Sequence, residues 1–226
     1  MSTKEIGIFD ILGPNMIGPS SSHTAGALRI AHLARKMVSG KVVKVEFTLY
    51  GSFAHTYRGH GTDKALVGGI LGYDTEDARI KDSFRYADEA GLDYSFLPNT
   101  EAAGLHPNTV EVTLHGADGS VTTIQGASIG GGNVMIERID GVDIHLSGDY
   151  NTLLIKQADM PGVVAHIAKV LSDRNINIAF MRLYRENKGA LAYTIVEADE
   201  EMGAQVASEI KKNPNIWQAL LIPRLA

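Results

Sequence analysis

Residues 151–172 read NTLLIKQADMPGVVAHIAKVLS, and this stretch decides the fold of the C-terminal half. Its short apolar run at 151–155 predicts a strand. Pro161 follows, and proline suits the first turn of a helix because its missing N–H would be an unpaired donor there. Apolar side chains then recur at helical spacing, which predicts a helix. These are Val163, Val164, Ile167, Val170 and Leu171.

The rest of the C-terminal half continues the pattern with two more strands, a helix and a final strand. Residues 186–189 read ENKG, which is typical of a turn between two strands. The predicted elements are strands at 175–184 and 190–198, a helix at 200–212 that Pro214 ends, and a strand at 216–222. The order strand, helix, strand, strand, helix, strand is the ferredoxin-like βαββαβ plan.

The N-terminal half has a mixed pattern of helices and strands. The predicted elements are a short segment at 6–12, helices at 24–38, 64–71 and 76–90, and strands at 42–50, 110–114 and 121–127. Residues 141–150 mark the boundary between the halves. The sequence therefore predicts an α+β protein with two domains, at 1–147 and 148–226.

Composition and charge restrict the classes of function. The chain has 226 residues, of which 44% are hydrophobic, and its formal net charge is −5. A mildly acidic chain without a Lys/Arg cluster is a poor partner for nucleic acid or an anionic membrane surface. No apolar run approaches the roughly 20 residues that span a bilayer. Because the first ten residues also lack the pattern of a signal peptide, we expect a cytoplasmic location.

The chain contains no cysteine. Disulfides and a cysteine nucleophile are therefore excluded. The thiolate ligands that normally hold an iron–sulfur cluster are also absent from this polypeptide.

Residues 18–24 read GPSSSHT, where a loop enters a predicted helix. Backbone N–H groups and the dipole at a helix N-terminus favour an anion such as a substrate carboxylate. The same dipole is expected to lower the pKa of His23 and to keep a basic nitrogen available near neutral pH. The alternative is ordinary helix capping by Ser22 or Thr24.

Two glycine-containing segments are further candidates for a binding site. Residues 59–65 read GHGTDKA, so His60 lies in a loop whose glycines permit close approach to a ligand, and Thr62 or Asp63 is expected to cap the next helix. Residues 128–133 read SIGGGN. Neither segment matches a phosphate loop or a dinucleotide fingerprint. The alternative for the first segment is a glycine-flanked turn that exposes a histidine.

A metal site made by this chain is not expected. His55, His60, Asp63 and His106 are the available ligands, but their spacing matches no helical or ribbon pattern for zinc.

Taken together and in this order, residues 18–24, residues 59–65, the Ser-x-Gly-Gly-Gly run and the βαββαβ module resemble the β subunit of two-chain, iron–sulfur L-serine dehydratases. The C-terminal half resembles an ACT domain, with its Pro161–Gly162 turn in the expected place. The N-terminal half is similar to the allosteric-substrate-binding domain of some D-3-phosphoglycerate dehydrogenases. The resemblance implies conversion of L-serine to pyruvate and ammonia, with a 4Fe–4S cluster ligated by a cysteine-containing α subunit.

The resemblance also implies roles for residues of this chain. A base must remove the α-proton of L-serine, and histidine has a suitable pKa. We expect His23 and His60 to line the shared active site as candidate bases, without assigning the proton transfer to either. The expected ligands of the substrate carboxylate are Ser20, Ser21, Ser22 and Thr62, with Asn133 as a further candidate.

The ACT-like half departs from the serine-binding pattern His-x-Asn-x-Pro-Gly. The aligned residues are Gln157, Asp159, Pro161 and Gly162. Asp159 adds a negative charge, so L-serine binding should be weakened there. Asp159 and Gly162 instead form a candidate effector or monovalent-cation site, and the module is expected to mediate self-association.

A non-catalytic, amino-acid-sensing regulatory subunit is the main alternative, because both halves resemble effector modules. The paired histidine loops argue against it, since a sensor needs no two candidate bases. A hydrolase with a serine nucleophile is a weaker alternative, because the Gly-x-Ser-x-Gly elbow is absent.

Overall fold

The computed structural model describes residues 15–225, and the segment predicted at 6–12 lies outside the described residues. The described chain forms two compact units. The first contains residues 15–35 and 40–137, and the second contains residues 36–39 and 138–225.

The helices and strands up to residue 146 build a six-stranded sheet and the helices beside it. A π-helical turn, Ser21–Gly26, leads into the first α-helix. The elements are α1 Ala27–Lys36, β1 Val42–Tyr50, α2 Gly51–Thr56, α3 Thr62–Ile70, a 3-10 helix Ala78–Asp82, α4 Ser83–Ala90, β2 Asp93–Asn99, β3 Thr109–Gly116, β4 Val121–Gly130, β5 Asn133–Ile139 and β6 Val142–Leu146. The sheet order is β2-β1-β3-β4-β5-β6, with β1 parallel to β2 and antiparallel to β3.

Strand β1 is central to the first unit because every second side chain is completely buried. Val45, Phe47 and Leu49 have no exposed surface, as the alternating sequence predicts for a strand with one face on the core. Its predicted bounds, 42–50, are confirmed.

Several other predicted elements differ from the observed ones. The helix predicted at 76–90 is split into the 3-10 helix and α4, and α2, β2, β5 and β6 were not predicted. Strand β6 lies inside the predicted boundary region 141–150. This strand was not predicted because it has only five residues, its polar side chains alternate with apolar ones, and turn-like residues flank it.

The second unit contains the predicted βαββαβ module. Its elements are β7 Asn151–Ala158, α5 Val163–Ser172, β8 Phe180–Arg185, β9 Leu191–Ala198, α6 Ala204–Ile210 and β10 Ile216–Ile222. All three strand pairs are antiparallel, in the order β10-β7-β9-β8. Buried apolar side chains from both helices pack on one face of this sheet. The predicted α+β class and ferredoxin-like plan are confirmed.

Strand β8 begins five residues later than predicted. Asn175 adopts a left-handed conformation with φ 54°, and Ile176 N–H donates to the Leu171 carbonyl at 3.1 Å. The chain therefore turns tightly after α5. Ile176 and Ile178 pack on the core from a loop, so their alternation reflects burial without strand pairing.

The compact units divide at residues 137 and 138, whereas the sequence predicts domains that divide at 147 and 148. The turn before β6 accounts for the earlier division. Asp140 accepts hydrogen bonds from the Lys156 ammonium and the Tyr193 hydroxyl, both at 2.8 Å, which joins this turn to the second sheet. Among residues 15–225, no helix is long and apolar enough to cross a membrane.

Gly69 permits the close packing of α3 on α1, which gives a prediction about stability. A Cβ at this position would lie 2.4 Å from the Leu28 carbonyl oxygen and 2.7 Å from Ala31 Cβ. We expect Gly69→Ala to lower the free energy of unfolding by about 1–3 kcal/mol, because the two backbones must separate. Denaturant unfolding of the purified chain would measure the change.

Gly68→Ala is the matched control in the same helix. Its Cβ would meet nothing closer than 3.4 Å. The higher helix propensity of alanine should make it neutral or stabilising by up to about 1 kcal/mol. Equal effects of the two substitutions would contradict the packing argument.

Candidate active site

Ser20 begins the helix that carries His23. Ser20 has an extended backbone, and its Oγ accepts a hydrogen bond from the His23 backbone N–H at 3.1 Å. The capping role therefore belongs to Ser20, and the expected cap by Ser22 or Thr24 is wrong. The first turn, Ser21–Gly26, is π-helical, a geometry found frequently at functional sites.

The His23 ring is held by hydroxyl groups on both nitrogens. Its Nδ1 lies 3.4 Å from Ser20 Oγ, and its Nε2 lies 2.9 Å from Ser52 Oγ. Phe53 packs against the ring edge-to-face, with 5.4 Å between the centroids. Helix α2, which carries Ser52 and Phe53, thus provides one wall of the site.

His60 lies against His23. The two ring centroids are 4.9 Å apart, and the ring planes are inclined by 36°. Thr24 Oγ1 donates to the His60 carbonyl at 3.1 Å, which joins the two loops directly. The structure thus brings together the two histidines that the sequence singles out, although 37 positions separate them.

The pKa of His23 is lowered from its ordinary value. Burial of the ring is the largest cause, and positive charge on the neighbouring His60 is the second. The sequence predicted this direction but attributed it to the helix dipole. In the structure, desolvation and the second histidine favour the neutral ring.

The loop that follows His60 places Thr62 in the interior. Thr62 is fully buried and donates its backbone N–H to the Tyr57 carbonyl at 2.9 Å. Gly61, with φ 67°, is the N-cap of α3, so the expected cap by Thr62 or Asp63 is wrong. Burial raises the pKa of Asp63, whose carboxylate accepts from the Lys64 N–H.

Ser21 and Ser22 are half-buried in the π-helical turn. Within residues 15–225, neither hydroxyl makes a hydrogen bond to another group of the chain. They remain available to a ligand, whereas the Ser20 hydroxyl is already engaged as the helix cap.

The glycine run after β4 is fixed beside α1. Gly130, Gly131 and Gly132 all have positive φ values, and Arg29 Nη1 donates to the Gly132 carbonyl at 3.1 Å. Asn133 is exposed at the start of β5. In the described part of the chain, no hydrogen bond joins the Asn133 side chain to the histidine pair.

Ser128 and Asn108 connect the strands to the π-helical turn, and the sequence alone did not predict a contact for either residue. Ser128 is fully buried, and a Cβ on Gly26 would lie 2.1 Å from its Oγ, so it packs directly against the π-helical turn. Ser128 N–H donates to the Asn108 carbonyl at 3.0 Å. The segment before β3 thus reaches the start of the first helix.

Buried polar atoms without partners are concentrated around the histidines. In residues 15–225, they are His60 Nδ1, Thr62 Oγ1, Asn108 Oδ1 and Ser128 Oγ. Buried polar atoms in proteins are normally hydrogen-bonded, so four exceptions in connected segments need an explanation. They indicate a site built to bind a small polar ligand.

The turn between β7 and α5 is closed by an ion pair. Asp159 Oδ2 accepts from the Gly189 N–H at 3.0 Å and from Arg185 Nη1 at 3.3 Å. The Gly189 N–H and Arg185 hold the pKa of Asp159 below its usual range. Gly162, with φ 88°, is the N-cap of α5. A cation at Asp159 would compete with Arg185, and the cation or effector role of Asp159 and Gly162 stays a prediction.

Comparisons with known proteins agree with this arrangement. The family described as "Serine dehydratase beta chain" matches residues 7–93, and the ACT domain family matches residues 151–215. A probable L-serine dehydratase beta chain of Bacillus subtilis (strain 168) is 41% identical over 215 residues, 95% of this chain and 97% of that protein. The L-serine dehydratase beta chain of Peptoniphilus asaccharolyticus is 41% identical over 202 residues, 89% of this chain and 91% of that protein.

The chain also has a more distant similarity to another enzyme. A D-3-phosphoglycerate dehydrogenase of Bacillus subtilis (strain 168) is 27% identical over 136 residues, 60% of this chain and 26% of that protein. Both family matches and the two long alignments with beta chains lead to one assignment. The chain belongs to the serine dehydratase beta chain family and carries an ACT domain in its C-terminal part.

Proposed function

We propose that this chain supplies the proton-transfer groups of an L-serine dehydratase that converts L-serine to pyruvate and ammonia. The observation that carries the proposal is the close approach of His23 and His60, whose ring centroids are 4.9 Å apart, together with the unpartnered buried atoms His60 Nδ1, Thr62 Oγ1, Asn108 Oδ1 and Ser128 Oγ. A general base and unpaired polar groups are what an amino-acid substrate requires.

The reaction begins with loss of the α-proton of L-serine to a neutral imidazole. Departure of the β-hydroxyl as water leaves an enamine, which hydrolyses to pyruvate and ammonia. Burial and His60 lower the pKa of His23 and so keep it neutral at physiological pH. His60 Nδ1 is the more available acceptor, because both nitrogens of His23 already lie beside serine hydroxyls.

The substrate carboxylate binds at the start of the first helix in this proposal. The unengaged hydroxyls of Ser21 and Ser22 lie in the turn that carries His23, and Thr62 Oγ1 is buried without a partner near His60. Hydrogen bonds from these hydroxyls to a carboxylate would satisfy groups that are otherwise unpaired. Ser20 supports the site as the helix cap, and Asn133 remains a weaker candidate at its edge.

A second polypeptide completes the enzyme in this proposal. The relatives are named beta chains, which implies an α chain. Because this chain has no cysteine, the thiolates for a 4Fe–4S cluster must come from that α subunit. The cluster would supply a Lewis acid for the departing hydroxyl.

Replacement of each histidine tests the catalytic assignment. We expect His23→Ala and His60→Ala to reduce kcat by about 10²–10⁴-fold, because each removes a group of the proton-transfer pair. The measurement is pyruvate formation after anaerobic co-expression with a cysteine-containing α chain of an L-serine dehydratase.

His55→Ala is the control, since His55 is exposed on α2 beside the site and should leave kcat unchanged. Near-normal turnover of both active-site variants would contradict the assignment. A co-expressed complex that binds L-serine without forming pyruvate would favour the amino-acid-sensing alternative.

The lowered pKa of His23 predicts the pH dependence. By NMR, His23 in the full chain should titrate below 6.5, and in urea near 6.5. His60→Gln removes the neighbouring charge and should raise the pKa of His23, although burial keeps it below 6.5. Because His23 binds a proton at a higher pH in the unfolded chain than in the folded chain, protonation lowers the free energy of unfolding as pH falls below about 6.5. A native pKa at or above 6.5 would contradict the prediction.

We also propose that the ACT domain mediates self-association through β8. This strand is one edge of the second sheet, and it exposes Phe180 and Leu183, each 43% accessible. Exposed apolar side chains on an edge strand favour pairing with a second copy.

Sedimentation velocity of the full chain tests this proposal. We expect a species of about twice 24.3 kDa, and Leu183→Lys should shift it to the monomer because a charge disfavours edge pairing. Trp217→Lys on β10, at the opposite edge of the sheet, is the control and should leave the dimer intact. A wild-type monomer at micromolar concentration would contradict the proposal.

A further inference from the structure

Ser52 contacts the His23 ring although it lies in neither of the histidine motifs. Its Oγ is 2.9 Å from His23 Nε2, the shortest hydrogen bond that the ring makes in the described chain. Ser52 is the second residue of α2, and this helix begins directly after β1. The contact therefore joins the start of the first helix to the end of a central strand.

The position of Ser52 is fixed without any help from His23. Its backbone N–H donates to the Pro107 carbonyl at 2.6 Å. Gly51 has φ 51°, and a Cβ there would lie 2.7 Å from the Pro107 carbonyl oxygen. The Ser52 hydroxyl thus has a rigid backbone from which it can orient the ring.

The bonds of Ser20 indicate which nitrogen of His23 carries hydrogen. Ser20 Oγ accepts the His23 backbone N–H, so the hydrogen of its own hydroxyl is free to point towards Nδ1. Nδ1 is then the acceptor. In the neutral ring, Nε2 must carry the hydrogen and donate it to Ser52 Oγ.

We propose that Ser52 is a positioning residue that accepts a hydrogen bond from His23 Nε2–H, holds the ring against His60 and fixes its tautomer. The part that concerns catalysis rests on the proposed function. The part that concerns the tautomer does not, because it is a property of this chain alone. Ser52 acts through His23 and needs no contact with the substrate.

The first experiment measures the nitrogen chemical shifts of ¹⁵N-histidine-labelled full chain. In the wild type, His23 should show the Nε2–H tautomer. Ser52→Ala should give a mixture of tautomers and a lower pKa of His23, because the imidazolium loses an acceptor. Ser52→Thr keeps the hydroxyl and should restore the wild-type shifts.

Thr56→Val is the matched control for a disturbed α2. It removes the hydrogen bond to the Ser52 backbone carbonyl but leaves the Ser52 hydroxyl and the bond from Ser52 N–H to Pro107 in place. Its His23 shifts should equal those of the wild type. Three results would overturn the proposal. They are an Nδ1–H tautomer of His23 in the wild type, a higher pKa of His23 in Ser52→Ala, and His23 shifts in Ser52→Ala that equal those of the wild type.

The second experiment measures turnover with the α chain. Ser52→Ala should reduce kcat about tenfold or more, with KM changed by less than about twofold, because the pre-organised ring is lost and the carboxylate contacts remain. Ser52→Thr should recover to within about threefold of the wild type. A loss in Ser52→Ala no larger than in Thr56→Val would overturn the catalytic part. If the wild-type complex forms no pyruvate, the proposed function fails, and the nitrogen shifts alone decide the role of Ser52.

Discussion

The site depends on the hydrogen bond between the His23 N–H and Ser20 Oγ, because that bond sets where the first helix begins. The π-helical turn that follows carries the next two serine hydroxyls and the imidazole on one short segment. Its start is also sterically restricted, since Gly26 leaves room for the buried Ser128 side chain. A shift of the helix start by one residue would rotate His23 by roughly 100° away from Ser52 and His60.

The unpartnered polar atoms around the histidines lower the free energy of unfolding, and a bound ligand would offset this loss. An unsatisfied buried polar group costs about 1–3 kcal/mol, and four such atoms lie in connected segments of the first unit. Such a cost is tolerated in a folded protein where hydrogen bonds to a ligand satisfy the unpaired groups. The fully buried apolar face of β1 and the close packing of α1 and α3 at Gly69 contribute stability in the same unit.

The sequence predicted the features that depend on local pattern. The bounds of β1 and β10 and the βαββαβ order follow from periodicity, and the selection of His23 and His60, which the structure brings together, follows from short motifs. Ser52 and Asn108 were missed because their roles arise from contacts between distant segments, and Ser52 is 29 positions from His23. The glycine that follows β1 was the available signal, since Gly51 allows the positive φ with which α2 begins. The π-helical turn has no recognised periodicity, so the sequence predicted only an ordinary helix there.

The surroundings of the histidine pair bear on the proposed division of the reaction between two polypeptides. Within residues 15–225, neither ring of the pair is hydrogen-bonded to a carboxylate, and burial together with mutual repulsion favours the neutral form of His23. Such an environment suits proton abstraction but disfavours the cation that abstraction creates. In the proposed reaction, the Ser52 hydroxyl and the substrate carboxylate would stabilise that charge, and a group outside this chain would stabilise the departing hydroxyl. Positive charge near the histidines would disfavour the imidazolium and keep the rings neutral. A Lewis acid on a partner chain would bind the departing hydroxyl and would not protonate the base. This is the physical basis of the proposed division, in which this chain holds the base and a partner chain holds the acid.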